Sequence, residues 1–153
     1  MYIKFYKNIE KQTGFTAIEV VAVIVIIGII AAVAVSKIAS TQDYTVAAEV
    51  DILKMNLRYA QLRALGDDKH WGIAFAGNSY TILRDGNAAP YNLPNENSPV
   101  HTLPGGINLS GGTVTFNEWG TPVDASGSPA TNSIDISLGG KTITITKNTG
   151  FIQ

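Results

Sequence analysis

From Phe15 to Val35 the chain reads FTAIEVVAVIVIIGIIAAVAV, a run in which only Thr16 and Glu19 are distinctly polar. A membrane helix needs about 20 mostly apolar residues at 1.5 Å of rise each, so this segment is long enough to span a bilayer. Its β-branched residues (Val20, Val21, Val23 to Ile27) would also suit a buried strand. Length decides against that, because strands end within about 10 residues, and in lipid only a helix satisfies its own backbone. Farther on, Val46, Val50, Leu53, Leu57, Ala60 and Ala64 recur every three or four positions and draw an apolar stripe along one helix face. Asp43, Glu49, Asp51, Lys54, Arg58 and Arg63 lie mostly off it. No proline interrupts 15–65, and Gly66 is a natural stop. The pattern predicts one helix of about 50 residues, near 75 Å long at 1.5 Å per residue. Its 15–35 half is apolar all round and its 36–65 half amphipathic. Such a helix needs lipid or other helices at one end and a globular domain at the other.

After Gly66 the pattern changes period. Thirteen of the 15 glycines and all six prolines fall from 66 onward, between short alternating runs of the all-β kind. Trp71–Ala76 and Ser79–Arg84 flank Gly77-Asn78, and Ser133–Leu138 and Lys141–Thr146 flank Gly139-Gly140; both pairs predict hairpins. Thr113–Asn117 predicts a fifth strand, and Phe151-Ile152 a short edge. Residues 85–111 contain four prolines and read as a long, mostly irregular surface loop. A core this small is marginal alone, and docking on the stripe from Val46 to Ala64 supplies its missing apolar partner.

Composition narrows the classes. Apolar residues make up 45 % and charged residues 15 %, against roughly 25 % charged in an average soluble protein, which excludes a disordered chain. Eleven basic residues oppose 12 acidic ones, so net charge does not point to nucleic acid. With no cysteine, disulfide scaffolds, zinc–cysteine sites and thiol nucleophiles are excluded together. Lys4, Lys7 and Lys11 precede the apolar run and only Lys37 follows closely, which orients 1–14 to the cytoplasm and the remainder outward.

Glu19 is the anomaly, since an acid at the centre of a membrane helix costs roughly 2.5–3.5 kcal/mol. It lies near the cytoplasmic end, where water is reachable, so an interfacial acid is the plain reading. A cationic partner is the sharper one, and none lies one turn away in the chain. The stretch Gly14-Phe15-Thr16-Ala17-Ile18-Glu19, after a short basic leader and before a long apolar run, resembles the type III signal of type IV pilins and pseudopilins. The resemblance implies cleavage by prepilin peptidase between Gly14 and Phe15 and methylation of the Phe15 amine. That amine would then pair with Glu19 of a neighbouring subunit during assembly, making Glu19 a register key comparable to a polar residue in a coiled coil. Gly28-Ile29-Ile30-Ala31-Ala32-Val33-Ala34-Val35 continues the similarity, whereas Ser36 stands where many members have proline. An ordinary secretory signal cut after Ala34 is the rival, because Ala32-Val33-Ala34 fits the small-x-small pattern. Against it, Glu19 interrupts the apolar start.

The end of the chain is similar to a subset of that family. Val114-Thr115-Phe116-Asn117-Glu118-Trp119-Gly120-Thr121-Pro122 and Asn148-Thr149-Gly150-Phe151-Ile152 resemble the strand-then-glycine element and the tail of H-type minor pseudopilins and T-type minor pilins. Some T-type relatives bind DNA in natural transformation. Here 36–153 carries eight Lys/Arg against ten Asp/Glu, and Phe151 stands where relatives often have arginine. Phosphate binding needs several cations together, and Lys54 and Arg58, which share a helix face, are the only candidate contacts.

Catalytic chemistry is sparse. His70 and His101 are the two neutral-pH bases, 31 positions apart, without the helical His-x-x-x-His spacing of a metal site. No nucleophile elbow, Walker loop or dinucleotide fingerprint occurs. Asp67-Asp68 at the helix end offers too few oxygens for calcium and reads as a solvated pair. Trp71 and Trp119 read as core or interface anchors.

The sequence therefore predicts an α+β chain with a long N-terminal helix packed on a C-terminal antiparallel β domain, a pilin-like fold. Its parts are a prepilin leader (1–14), a transmembrane and filament-core helix (15–35), an amphipathic continuation (36–65) and a β-rich head (66–153). The expected role is that of a minor pilin or pseudopilin without catalytic, cofactor or metal site, partnered by prepilin peptidase, other subunits and the inner membrane, with the head outside. A DNA-binding minor pilin is the first alternative, and a secreted β domain the second.

Overall fold

The structure is a computed structural model that describes residues 14–153, apart from the side chains of 36–41. The leader expected before Gly14 and the side chain of Ser36 lie outside the described residues. The chain divides into two compact units between Thr41 and Gln42.

In the first unit, helix α1 (Ala17–Leu65) begins directly after Thr16. From Ala17 to Val35 the helix has a mean hydropathy of 3.1 and no buried residue. These 19 residues span about 28 Å at 1.5 Å each, enough for a hydrocarbon core of about 30 Å.

In the second unit, Val46, Leu53, Leu57, Ala60 and Ala64 of α1 are buried and Val50 half-buried, the stripe that the spacing predicts. Two antiparallel sheets share its core. The larger contains β1 (Trp71–Ala76), β2 (Ser79–Arg84), β3 (Asn87–Ala88), β4 (Val100–Thr102), β6 (Val114–Phe116) and β7 (Pro122–Val123), in the order β3-β2-β1-β6-β7. β4 pairs with β2 on the same outer edge as β3, in the register Tyr80 opposite His101. The smaller sheet runs β5-β8-β9, from β5 (Leu109–Ser110), β8 (Ile134–Leu138) and β9 (Lys141–Ile145). The inward faces carry Trp71, Ile73, Tyr80, Ile82, Val114, Phe116, Ile136, Leu138, Ile143 and Ile145, all 0–1 % exposed. Each large apolar side chain so buried contributes roughly 1.5–3 kcal/mol.

Both predicted hairpins form, with Ile73 opposite Ile82 and Ile136 opposite Ile143. The predicted fifth strand is β6, pairing with β1. Phe151-Ile152 supplies a short edge: Ile152 bridges Ile145, and the Gln153 amide donates to the Thr144 carbonyl at 3.0 Å.

Most of 85–111 lies outside strands, as expected, but the expectation of a surface loop requires correction. This stretch contributes β3, β4 and β5, and it buries Ala89, Leu93, Leu103 and Ile107. Its strands are only two or three residues long, too short for periodicity to register. They form because the outer edge of β2 and the edge of β8 offer unpaired backbone groups, which cost free energy when left buried. At Ile82 the carbonyl accepts from the Ala89 amide and the amide donates to the Pro99 carbonyl, both at 2.9 Å. The chain thus leaves and rejoins the same strand residue.

Candidate assembly and binding surfaces

The helix start is built locally. The Glu19 amide donates to the Thr16 carbonyl at 3.1 Å and to its Oγ1 at 3.3 Å. Thr16 is thereby the N-cap, with an acid at the third helical position, the arrangement of a capping box. The Thr-x-x-Glu spacing is itself a sequence signal for this cap. The carboxylate itself has no cationic partner among the described residues. Phe15 is exposed ahead of the helix and, with Glu19, Val20, Val23 and Ile24, lines a shallow groove of about 280 Å³. Gly14 and Phe15 precede the first helical turn, outside any hydrogen-bonded element.

At the other end of α1, Gln61 ties down two turns. Its Nε2 donates to the Gly120 carbonyl at 2.8 Å and the Gly150 carbonyl at 3.1 Å. No local pattern signals this junction, since its residues are 59 and 89 positions apart. Beside it, Trp119 and Phe151 point to solvent, 76 % and 61 % exposed. Trp119 is therefore not a core residue, whereas Trp71, at 1 %, is. Arg58 is exposed and its Nη2 reaches the Ile152 carbonyl at 3.5 Å; Lys54 is half-buried one turn earlier on α1.

Asp67 is not a solvated acid. It accepts from Arg84 Nε at 2.8 Å and from Trp71 Nε1 at 3.1 Å. The Arg84 hydrogen bond outweighs desolvation and, helped by Trp71, holds the carboxyl well below the usual carboxylate range; Arg84 is correspondingly raised by Asp67. Arg63 lies over the rings of Tyr91, Trp71 and Tyr59, at 4.6, 5.2 and 5.4 Å, so the helix end is fastened by cation–π contacts.

The two histidines are far apart in role. His70 lines a polar cleft of about 470 Å³ with Asp85, Thr115 and Asp124. Its acids are already engaged: Asp85 pairs with Lys69 at 3.3 Å, and Asp124 accepts from the Ser126 amide and hydroxyl, which lowers its pKa. His101 sits between two carboxylates. Its Nε2 meets Glu49 of α1 at 2.9 Å and its Nδ1 meets Glu96, while its ring stacks on Tyr80 at 4.9 Å. Burial opposes the charged ring, but the hydrogen bonds to Glu96 and Glu49 prevail and raise its pKa above the ordinary value. Glu49 is 7 % exposed, and sequence reading placed it merely off the apolar stripe. Among the described residues no group of three or more His, Cys, Asp or Glu is placed to hold a metal ion.

The fold of the chain, a helix packed on antiparallel sheets, is similar to that of a solved structure. The type IV minor pilin FimU of Pseudomonas aeruginosa superposes with a TM-score of 0.52 at 21 % identity, covering 74 % of this chain and 90 % of that one. The chain has a pilin-like fold. A second crystal form of FimU gives a TM-score of 0.47 at 20 % identity, over 70 % of this chain and 90 % of that one. No protein-family model matches the sequence, and no curated protein does.

Proposed function

We propose that this chain is a minor pilin or pseudopilin, a structural subunit rather than an enzyme. In this reading prepilin peptidase cuts after Gly14 and methylates Phe15, and the subunit enters a helical filament through 15–35 from the inner membrane, with the head outside. The observation that carries the proposal is the unburied 19-residue apolar helix with Glu19 in its first turn, in a chain of pilin-like fold. An apolar surface of this size requires lipid or neighbouring helices. Near the interface, Glu19 awaits a cation that cleavage before Phe15 would create as a new ammonium.

Intact and N-terminal mass spectrometry of the membrane-extracted protein, made in a host with an active prepilin peptidase, tests this. The expected mature chain begins at methylated Phe15. A chain beginning at Val35 would identify a secreted β domain, and an uncut chain a simple membrane anchor; either overturns the proposal.

A further inference from the structure

We propose that 89–102 is a pH-gated strap over the outer edge of the larger sheet, fastened to α1 by a protonated His101 held between Glu49 and Glu96. The argument rests on donors and acceptors. Both ring nitrogens of His101 face carboxylate oxygens, from Glu49 and from Glu96. A neutral imidazole has one N–H donor, whereas an imidazolium has two. Only the charged ring satisfies both acids while they remain ionised, and the side chains are 12 %, 10 % and 26 % exposed for His101, Glu49 and Glu96, too enclosed for water to replace a lost donor freely.

The three groups belong to three separate pieces of chain. Glu49 is on α1, Glu96 in the excursion between β3 and β4, and His101 at the centre of β4. Closing the cluster therefore closes the excursion onto the helix. Tyr80 of β2, the remaining titratable group facing His101, stacks on the ring, and its hydroxyl accepts from Asn56 Nδ2 at 2.9 Å. Burial raises the Tyr80 phenol further above its ordinary value, so it stays neutral throughout the range in which His101 titrates. Beyond this cluster the strap is held by the Ala89 and Pro99 links to Ile82, the three-residue pairing of β4 with β2, the apolar anchors Ala89 and Leu93, and Tyr91, whose ring meets Arg63 and Trp71. Of these holds only the His101 cluster depends on a proton, so local opening of the strap varies with pH through it.

The sign follows from linkage. A folded-state pKa above the unfolded value near 6.5 gives stabilisation fully present below that value and lost as pH rises through the folded pKa. Loss of the proton leaves one of the two carboxylates facing a ring lone pair, so the strap loses one of its two ties while the hairpins remain.

Hydrogen exchange of the full-length chain in detergent micelles, corrected for intrinsic rates, reads this directly. Between about pH 6.5 and pH 9, amide protection in 89–102 should fall by about ten-fold for each pKa unit by which His101 is raised. Protection in β8 and β9 should stay constant. His101→Gln should show weak strap protection that no longer varies over this range. Glu96→Gln, which keeps a single acid beside the ring, should release the strap at lower pH than the parent chain. Unchanged protection in 89–102, an equal loss across the whole head, or an undiminished pH response in His101→Gln would overturn the proposal.

Discussion

Two neighbouring glycines separate conformational preference from close packing. Gly139 and Gly140 form the β8–β9 turn and take φ of 56° and 81°, the left-handed pair that two-residue hairpins favour. A Cβ at Gly140 would meet nothing within 4 Å, whereas one at Gly139 would lie 2.7 and 2.8 Å from the two methyls of Val46. Val46 is β-branched and on a helix, so its χ1 has little freedom to yield. Gly140→Ala should therefore cost about 1–2 kcal/mol for the left-handed backbone alone. Gly139→Ala should cost about 1–3 kcal/mol more, read from urea midpoints of the two variants. Equal costs would mean that α1 gives way at Val46. The sequence announced the turn through its Gly-Gly pair. That α1 presses on its first residue was not legible, because the two positions lie 93 apart in the chain and no local pattern couples them.

Among the elements, α1 was the most legible, because a period near 3.6 repeated over several turns is a strong signal. Leu57 is fully buried on its stripe, and Leu62 is 66 % exposed. Leu57→Ala should destabilise the head by about 2–5 kcal/mol, while Leu62→Ala should stay within about 0.5 kcal/mol. Chemical denaturation followed by Trp71 fluorescence measures both. A large effect at Leu62 would mean that the exposed side of α1 is covered in the protein as purified. The hairpins were legible for a similar reason, alternation bounded by turn residues. β3, β4, β5 and β7 were not. Two or three residues carry no period; β7 also contains Pro122, which an edge strand tolerates, and β7 is one.

For the whole molecule, the proposed role hinges on Glu19. Glu19→Ala should leave cleavage after Gly14 intact, because removing an acid makes the apolar run cheaper to insert. It should sharply reduce recovery of the subunit in sheared filaments relative to the membrane fraction, as an immunoblot of the two would show. Normal incorporation would remove the register role and leave Glu19 as a helix-capping acid beside Thr16. The same variant loses the third-position acid of the cap, so Glu19→Gln, which keeps a capping-box residue, separates the two roles: it should preserve the helix start and still fail in assembly.

The apolar run, the helical stripe, the glycine-punctuated hairpins and hence the α+β class were determined by the sequence itself. Each is a periodic or compositional signal in contiguous residues, read out by the burial of one face or by lipid. Only the tertiary structure decided what lies between distant positions. It placed Glu49, Glu96 and His101 in one ion cluster, closed two glycine turns on Gln61, turned Asp67 from a solvent-facing acid into the partner of Arg84, and sent Trp119 outward while burying Trp71. Polar contacts of this kind depend on which chain segments meet, and that is fixed by sheet pairing and core packing. The residues themselves carry no periodic trace of it.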